Sequence, residues 1–340
     1  MMSLPKTYKQ ASFKEAGGKL VIEDVPLTLP GKGQILVKVE ACGVCHSDVF
    51  AQMNAYGHGF PIIPGHEIIG RVAAVADDET YWKVGDRVGG SWHGAHDGTC
   101  PSCKEGLFQM CQNQLVNGIT KDGGYAEYCK LHSEAVARVP EHVDAAKYAP
   151  ILCAGVTVFA SMRRMNIRPG ATVAVQGLGG LGHLAIQYAR KFGWRVVALS
   201  RGSDKEKFAR QLGAHEYIDA TKVDPAEALQ KLGSASLIVA TAPHGDSIKP
   251  LVNGLGPLGK LLILSVAGEI PIDAVSLIGK GRSIVSWPSG HVADCEEVIA
   301  FTELQDVNCM VQKFPLEKAN EAFDAMIEGK VRFRSVITFE

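Results

Sequence analysis

The chain has 340 residues, more than one hydrophobic core comfortably holds, so two domains are expected. Hydrophobic residues make up 46%, charged residues 21%, and the formal net charge is −1; this excludes a disordered chain and gives no electrostatic case for nucleic acid or an anionic membrane surface. No apolar run is long enough to span a bilayer, Met1 to Ala16 lacks the apolar stretch of a signal peptide, and the nine cysteines read as thiols or ligands rather than disulfides, so a cytoplasmic location is expected.

Residues 1–154 read as an irregular β-rich domain. Gln34-Ile35-Leu36-Val37-Lys38-Val39-Glu40 alternates apolar and polar residues and predicts a half-buried strand ending at Glu40. Similar signals run from Ile68 to Ala76 and from Ala126 to Arg138, separated by Gly/Pro/His/Asp-rich connections at 57–65 and 89–106. The pattern changes near residue 155. Strands are predicted at 172–176, 195–199 and 237–240, helices at 181–192 and 203–212, and a turn at Gly256-Pro257-Leu258-Gly259 before the apolar run from Lys260 to Ser265. Alternation of strand and helix predicts a doubly wound parallel sheet over 155–291. The tail from about 292 shows one helix (316–327) and a last strand (334–339), and belongs with the first domain.

Seven of the nine cysteines lie in the first half, which places metal chemistry there. Cys45, His66-Glu67 and Cys153 offer two thiolates, an imidazole and a carboxylate, the donor set of a zinc with one position left for substrate. A lone cysteine is more often a buried hydrophobe, so the weight rests on the set. Cys100-Pro101-Ser102-Cys103 and Cys111 have the spacing of a structural zinc lobe.

Gly177-Leu178-Gly179-Gly180-Leu181-Gly182 follows a strand, opens a helix and leads to a second strand, the context that makes a glycine fingerprint a dinucleotide site. The helix N-terminus would receive the pyrophosphate. At the end of the second strand an NAD-selective site usually carries an acid for the ribose 2′-OH; this chain reads Leu199-Ser200-Arg201-Gly202-Ser203-Asp204-Lys205 instead. Ser200 and Arg201 suit a 2′-phosphate, with Lys205 adding charge, so NADP(H) is expected over NAD(H).

Gly43-Val44-Cys45-His46-Ser47-Asp48, Gly65-His66-Glu67 and Cys153-Ala154-Gly155-Val156-Thr157 resemble, in order and spacing, the motifs of the medium-chain zinc-dependent alcohol dehydrogenases. The resemblance covers essentially the whole chain. It implies an α/β protein with a GroES-like irregular β-barrel catalytic domain (1–154 and 292–340) and a Rossmann doubly wound cofactor domain (155–291). It implies that Cys45, His66 and Cys153 hold the catalytic zinc, that Glu67 lies behind it, and that Asp48 orients His66. Ser47 resembles the hydroxyl that takes the alcohol proton. The family often relays that proton to a histidine three residues on; here the position is Phe50, so either the relay ends at the cofactor ribose and water or another group substitutes. Four cysteines usually close the lobe, and Asp97 stands in the fourth place, with His93 and His96 as competitors, giving two zinc ions per chain. His46 and Arg334 resemble pyrophosphate contacts, Thr157 and Val266 fall among the cofactor-binding positions, and Trp92 with Phe50 resembles the apolar wall of a substrate site, with Trp287 a weaker candidate near the nicotinamide. The strand end is similar to NADP-preferring members, including the cinnamyl-alcohol-dehydrogenase-like branch. The expected activity is reversible oxidation of a primary alcohol to an aldehyde by a homo-oligomer, dimer or tetramer. Its rivals are an NAD-dependent secondary-alcohol or polyol dehydrogenase, a zinc-free double-bond reductase, and a non-catalytic NADPH- and zinc-binding protein.

Overall fold

The computed structural model describes residues 4–339 and divides the chain into two units. The first runs to Cys153 and takes in Gly290–Leu304 and the chain from Asn308; the second is Ala154–Ser289 with 305–307.

The first unit is built on a seven-stranded sheet. Its path runs Val311–Pro315, Arg334–Thr338, Gln34–Val44, Ile68–Val75, Arg87–Gly90, Val136–Arg138, and Tyr128–His132 also pairs with Gln34–Val44. Ile35, Val37, Val39, Ile68, Val72, Val88 and Leu131 point into one core closed by Phe13, Trp82 and Tyr125. A hairpin not foreseen from the sequence, Thr7–Phe13 with Leu20–Pro26, adds Ala11, Phe13 and Leu20 to that core.

Gln34–Val44 is four residues longer than its alternation predicts. Beyond Glu40 the strand is paired on both sides, by Arg334–Thr338 and Ile68–Val75, and Ala41 to Val44 are all buried, so the polar beat that marks a half-exposed strand stops while the strand does not. Gly43 keeps this end narrow, because an added Cβ would lie 1.8 Å from Glu67 Oε2.

The second unit is a six-stranded parallel sheet in the order Glu216–Asp219, Arg195–Ser200, Thr172–Gln176, Ala235–Ala240, Leu255–Ile263, Ser283–Val285. The winding reverses between Thr172–Gln176 and Ala235–Ala240, the switch point at which such sheets bind nucleotides. Ala174, Val197, Leu199, Ile218, Ile238 and Leu261 form its core. The turn predicted at 256–259 lies inside Leu255–Ile263 as an irregularity: Ala235 pairs with Leu255 but Leu237 with Lys260, and Leu258 takes φ 56°.

The tail holds a second helix, Val292–Leu304. Its buried stripe is Cys295, Val298, Ile299 and Thr302, while Leu304 is 78% exposed, so the apolar period is blurred by a threonine inside and a leucine outside. Among the described residues no single helix is long and apolar enough to cross a membrane.

Candidate metal centres and cofactor loop

Cys45 directly follows the strand Gln34–Val44 and opens the 3-10 turn His46–Asp48. Asp48 turns back and its Oδ2 accepts the Cys45 N–H at 2.9 Å and the Tyr125 hydroxyl at 2.8 Å. Its Oδ1 lies 3.1 Å from His66 Nδ1, with both side chains fully buried. That leaves His66 Nε2 aimed away from the carboxylate, the arrangement a ligating histidine uses.

The ligand atoms of Cys45, His66, Glu67 and Cys153 all lie within 4.8 Å of one another. The two sulfurs are 3.8 Å apart, and Cys153 donating to Cys45 holds Cys45 well below the ordinary thiol range while pushing Cys153 well up. Burial opposes a charged imidazole, but Asp48 and Cys45 facing it hold His66 well above its usual range. The cluster therefore keeps protons that a cation would replace. His66 Nε2 and Glu67 Oε2 are buried with no hydrogen-bond partner among the described residues. Orphaned buried polar atoms beside two thiols are what a bound zinc resolves once it displaces the protons, and this donor set fits it.

Glu67 is held from behind. Its Oε1 pairs with the Arg334 guanidinium, whose side chain is only 5% exposed. Burial pushes Glu67 up to about 7 against the pull of Arg334. For Arg334 burial works the other way, and Glu67 with the two cysteines keeps it charged. Arg334, expected at the pyrophosphate, has its guanidinium on Glu67, a pairing of residues 267 positions apart that no local pattern marks.

Ser47 and Phe50 lie one turn apart, Ser47 in the 3-10 turn and Phe50 in the helix Val49–Gln52; His46 is exposed. Trp92 meets His66 edge-on with ring centroids 5.0 Å apart. Between Trp92 and Phe50 stands Tyr56, 6.4 Å from the one and 5.9 Å from the other, which sequence reasoning missed. It lies in an irregular segment, and only its tertiary neighbours mark it as part of the aromatic wall.

The second cluster, Asp97, Cys100, Cys103 and Cys111, is equally tight, within 4.8 Å. Asp97 Oδ1 accepts the N–H groups of Thr99 and Cys100 at 2.8 and 2.9 Å, and Oδ2 accepts from Asn113 Nδ2 at 2.7 Å. The N–H donors of Cys100 and Thr99 hold Asp97 well below the usual carboxylate range. Cys111 Sγ receives the N–H groups of Asp97 and Asn113, and the N–H groups of Gln112 and Cys103 lower Cys100, all of which stabilise thiolates. The three cysteines and Phe108 are the lobe's own apolar core, too small to hold a loop without a cross-link. His93 and His96 do not join the four; they bond to each other, Nε2 to Nδ1 at 3.2 Å, and their rings stack.

In the second unit the loop Gly177 to Gly182 leaves Thr172–Gln176 at the switch point and starts the helix Gly182–Lys191. Gly177 takes φ +95°, and a Cβ on Gly182 would lie 2.0 Å from Gly177 O, so helix and strand touch through glycine alone. Gly179 has nothing within 4 Å of a would-be Cβ and faces open space, which fits close approach by a pyrophosphate. Leu178, Gly180 and Leu181 are half-buried around it. Ser200 ends its strand, Arg201 is exposed, and Lys205 closes the short turn Ser203–Lys205. Thr157, in the helix Ala154–Arg163, has its Oγ1 3.1 Å from Ser289 Oγ; Val266 is 73% exposed, and Trp287 stacks under Arg164.

Comparison with known proteins agrees with this arrangement. Residues 31–141 match the alcohol dehydrogenase GroES-like domain, and residues 180–303 match the zinc-binding dehydrogenase family. The chain is 66% identical over 334 residues to the alcohol dehydrogenase patD of Penicillium expansum, covering 98% of each chain. It is 58% identical over 339 residues to the alcohol dehydrogenase notN of an Aspergillus species, covering 100% of each. A solved cinnamyl alcohol dehydrogenase from Sorghum bicolor superposes with a TM-score of 0.89 at 29% identity, over 98% of each chain.

Proposed function

The chain belongs to the medium-chain zinc-dependent alcohol dehydrogenases, and from that premise we propose that it transfers hydride reversibly between NADP(H) and a primary alcohol or its aldehyde. The observation that carries the cofactor reading is the strand end. Ser200 and an exposed Arg201 stand where an acid would reject a phosphate, and Arg201 makes no hydrogen bond or ion pair among the described residues. The aromatic wall of Phe50, Tyr56 and Trp92 supports a flat or slender substrate with an unhindered reacting carbon.

Zinc at the first cluster supplies Lewis acidity toward the substrate oxygen, and the nicotinamide gives or accepts the hydride. Cys45, His66 and Cys153 would hold the metal, with Glu67 in reserve behind it. Asp48 fixes His66 and the Cys45 backbone together, and Arg334 keeps Glu67 in place. Ser47 Oγ accepts the alcohol proton as its own hydroxyl proton passes outward toward solvent, and the aromatic wall lines the approach to the metal. His46, Thr157, Val266 and the glycine loop are proposed to contact the cofactor, with Lys205 adding positive charge.

A screen of alcohols and aldehydes with both nicotinamides, with zinc measured on the same sample, tests the proposal. Turnover of primary alcohols with NADP+ supports it; equal use of NAD+ at equal concentration defeats the cofactor reading. Arg201→Asp is expected to weaken NADPH binding by about 1.5–3 kcal/mol, the range for a charge-assisted contact, and to favour NADH relatively.

At the lobe we propose Asp97, Cys100, Cys103 and Cys111 as ligands of a structural zinc. Asp97→Ala is expected to lower zinc from about two per chain toward one and to destabilise the lobe with the first site still loaded. Only one zinc in carefully purified wild type would remove Asp97 from the ligand set.

We also propose a homo-oligomer, dimer or tetramer, acting in the cytoplasm. Ser283–Val285 is an edge strand, and Val275 and Ile278 in the preceding helix Ala274–Ile278 are 72% and 79% exposed. All nine cysteines are free, which suits a reducing compartment.

A further inference from the structure

The loop after Arg195–Ser200 is held by the neighbouring strand, and the hold falls on one glycine. Gly202 takes φ 87° and ψ 143° between Arg201 and the turn Ser203–Lys205. A side chain is disfavoured there on two counts, since an added Cβ would also lie 2.5 Å from Asp204 Oδ1. Glycine permits the turn, but it also leaves the segment the most conformational freedom to lose when a ligand binds.

Two side chains remove that freedom. The Gly202 N–H donates to Asp219 Oδ1 at 2.9 Å, and the Gly202 carbonyl accepts from the Tyr217 hydroxyl at 2.5 Å. Tyr217 and Asp219 are two apart on Glu216–Asp219, so they project from the same face, and Ser200 pairs in register with Asp219. Asp219 is fixed in turn, because the same oxygen accepts the Thr221 N–H at 3.0 Å and the Thr221 hydroxyl at 2.7 Å. Arg201 therefore sits between a strand residue and a clamped glycine, with its backbone held at both ends and its guanidinium free.

We propose that Tyr217 and Asp219 are specificity-determining positioning residues, holding Ser200 and Arg201 in the geometry that receives the 2′-phosphate of the adenosine ribose. The proposal rests on the reading of Ser200 and Arg201 as phosphate donors. A bidentate guanidinium contact depends on where its donors stand, and a donor ordered only on binding returns part of its gain as lost entropy. An adenosine ribose without the phosphate makes no such demand. Loosening Gly202 thus penalises one nucleotide and spares the other.

The test is calorimetric titration of the full-length, zinc-loaded protein with 2′,5′-ADP and with 5′-AMP, alongside its melting temperature. Wild type is expected to bind 2′,5′-ADP more tightly. Tyr217→Phe, which removes one hydroxyl, should weaken 2′,5′-ADP about fivefold, the worth of one hydrogen bond; Asp219→Ala, which removes the acceptor of three, should weaken it at least as much, and both should leave 5′-AMP unchanged. Asp219→Asn keeps an oxygen acceptor for the Gly202 N–H and should keep the wild-type preference. An unchanged ratio in Tyr217→Phe and Asp219→Ala, or equal weakening of both nucleotides with a lower melting temperature, overturns the proposal and leaves the phosphate reading standing. A wild type that binds both nucleotides alike overturns that reading, and the clamp's role with it.

Discussion

Asp48→Asn is expected to yield a folded protein that holds zinc at the first site roughly 10–100-fold more weakly, the usual cost of losing a carboxylate behind a ligating histidine. Asp48 is buried; its Oδ2 accepts from the Cys45 N–H and the Tyr125 hydroxyl, and its Oδ1 faces His66 Nδ1 at 3.1 Å. Asparagine has one acceptor oxygen and one NH2 group. With its oxygen on Cys45 and Tyr125, where two donors need it, the NH2 faces His66 Nδ1. That nitrogen must then accept, which puts the ring proton on Nε2, the atom that otherwise faces the thiols as a lone pair. The substitution is close to isosteric, so the fold survives while the wrong tautomer faces the metal. Asp48→Ala is harsher. It strands buried donors, and at about 1–3 kcal/mol for each unsatisfied group it should lower stability as well as zinc affinity. Metal analysis of dialysed protein, paired with thermal melts, separates the two outcomes. Full zinc occupancy in Asp48→Asn after dialysis against a chelator would show that His66 is not oriented in this way.

What the sequence made legible was chemistry at fixed local spacing. Cys45 to Asp48 are contiguous, His66 and Glu67 adjacent, and the three lobe cysteines lie on one loop. The glycine run declares itself because backbone contact allows no other residue. The parallel sheet was readable for a similar reason: its strands are short apolar runs set off by helices. The remainder depends on contacts between distant segments, for which a single chain carries no local signal. Arg334 meets Glu67 across 267 positions and Tyr125 meets Asp48 across 77. Tyr217 reads as an ordinary strand tyrosine until the sheet order sets it beside Gly202. The end of Gln34–Val44 was hidden because burial on both faces erases the alternation by which a strand is recognised.

Ser47→Ala is expected to slow the chemical step about a hundredfold or more in both directions, the typical loss when a positioned proton-transfer group is removed. The hydroxyl is half-buried in the same 3-10 turn that carries Cys45 into the cluster and Asp48 onto His66. Its backbone is therefore fixed by the groups that fix the ligands, and a residue so placed holds its oxygen ready rather than finding it on binding. Ser47→Thr keeps the oxygen and should keep activity. The next step outward is what distinguishes this chain. Phe50, one helical turn on, packs against Tyr56 and offers no lone pair, so a proton on Ser47 Oγ has no imidazole to go to at that position. Phe50→His should provide one, and where proton exit is the slow step it should raise alcohol oxidation and raise the observed hydride-transfer isotope effect, as chemistry comes to limit turnover. The two substitutions test one path from opposite ends, since the histidine can act only through the serine. In Ser47→Ala the added histidine should gain nothing. If Ser47→Ala turns over like wild type with an unchanged isotope effect, the proton leaves by another route, and the argument for Phe50 fails with it.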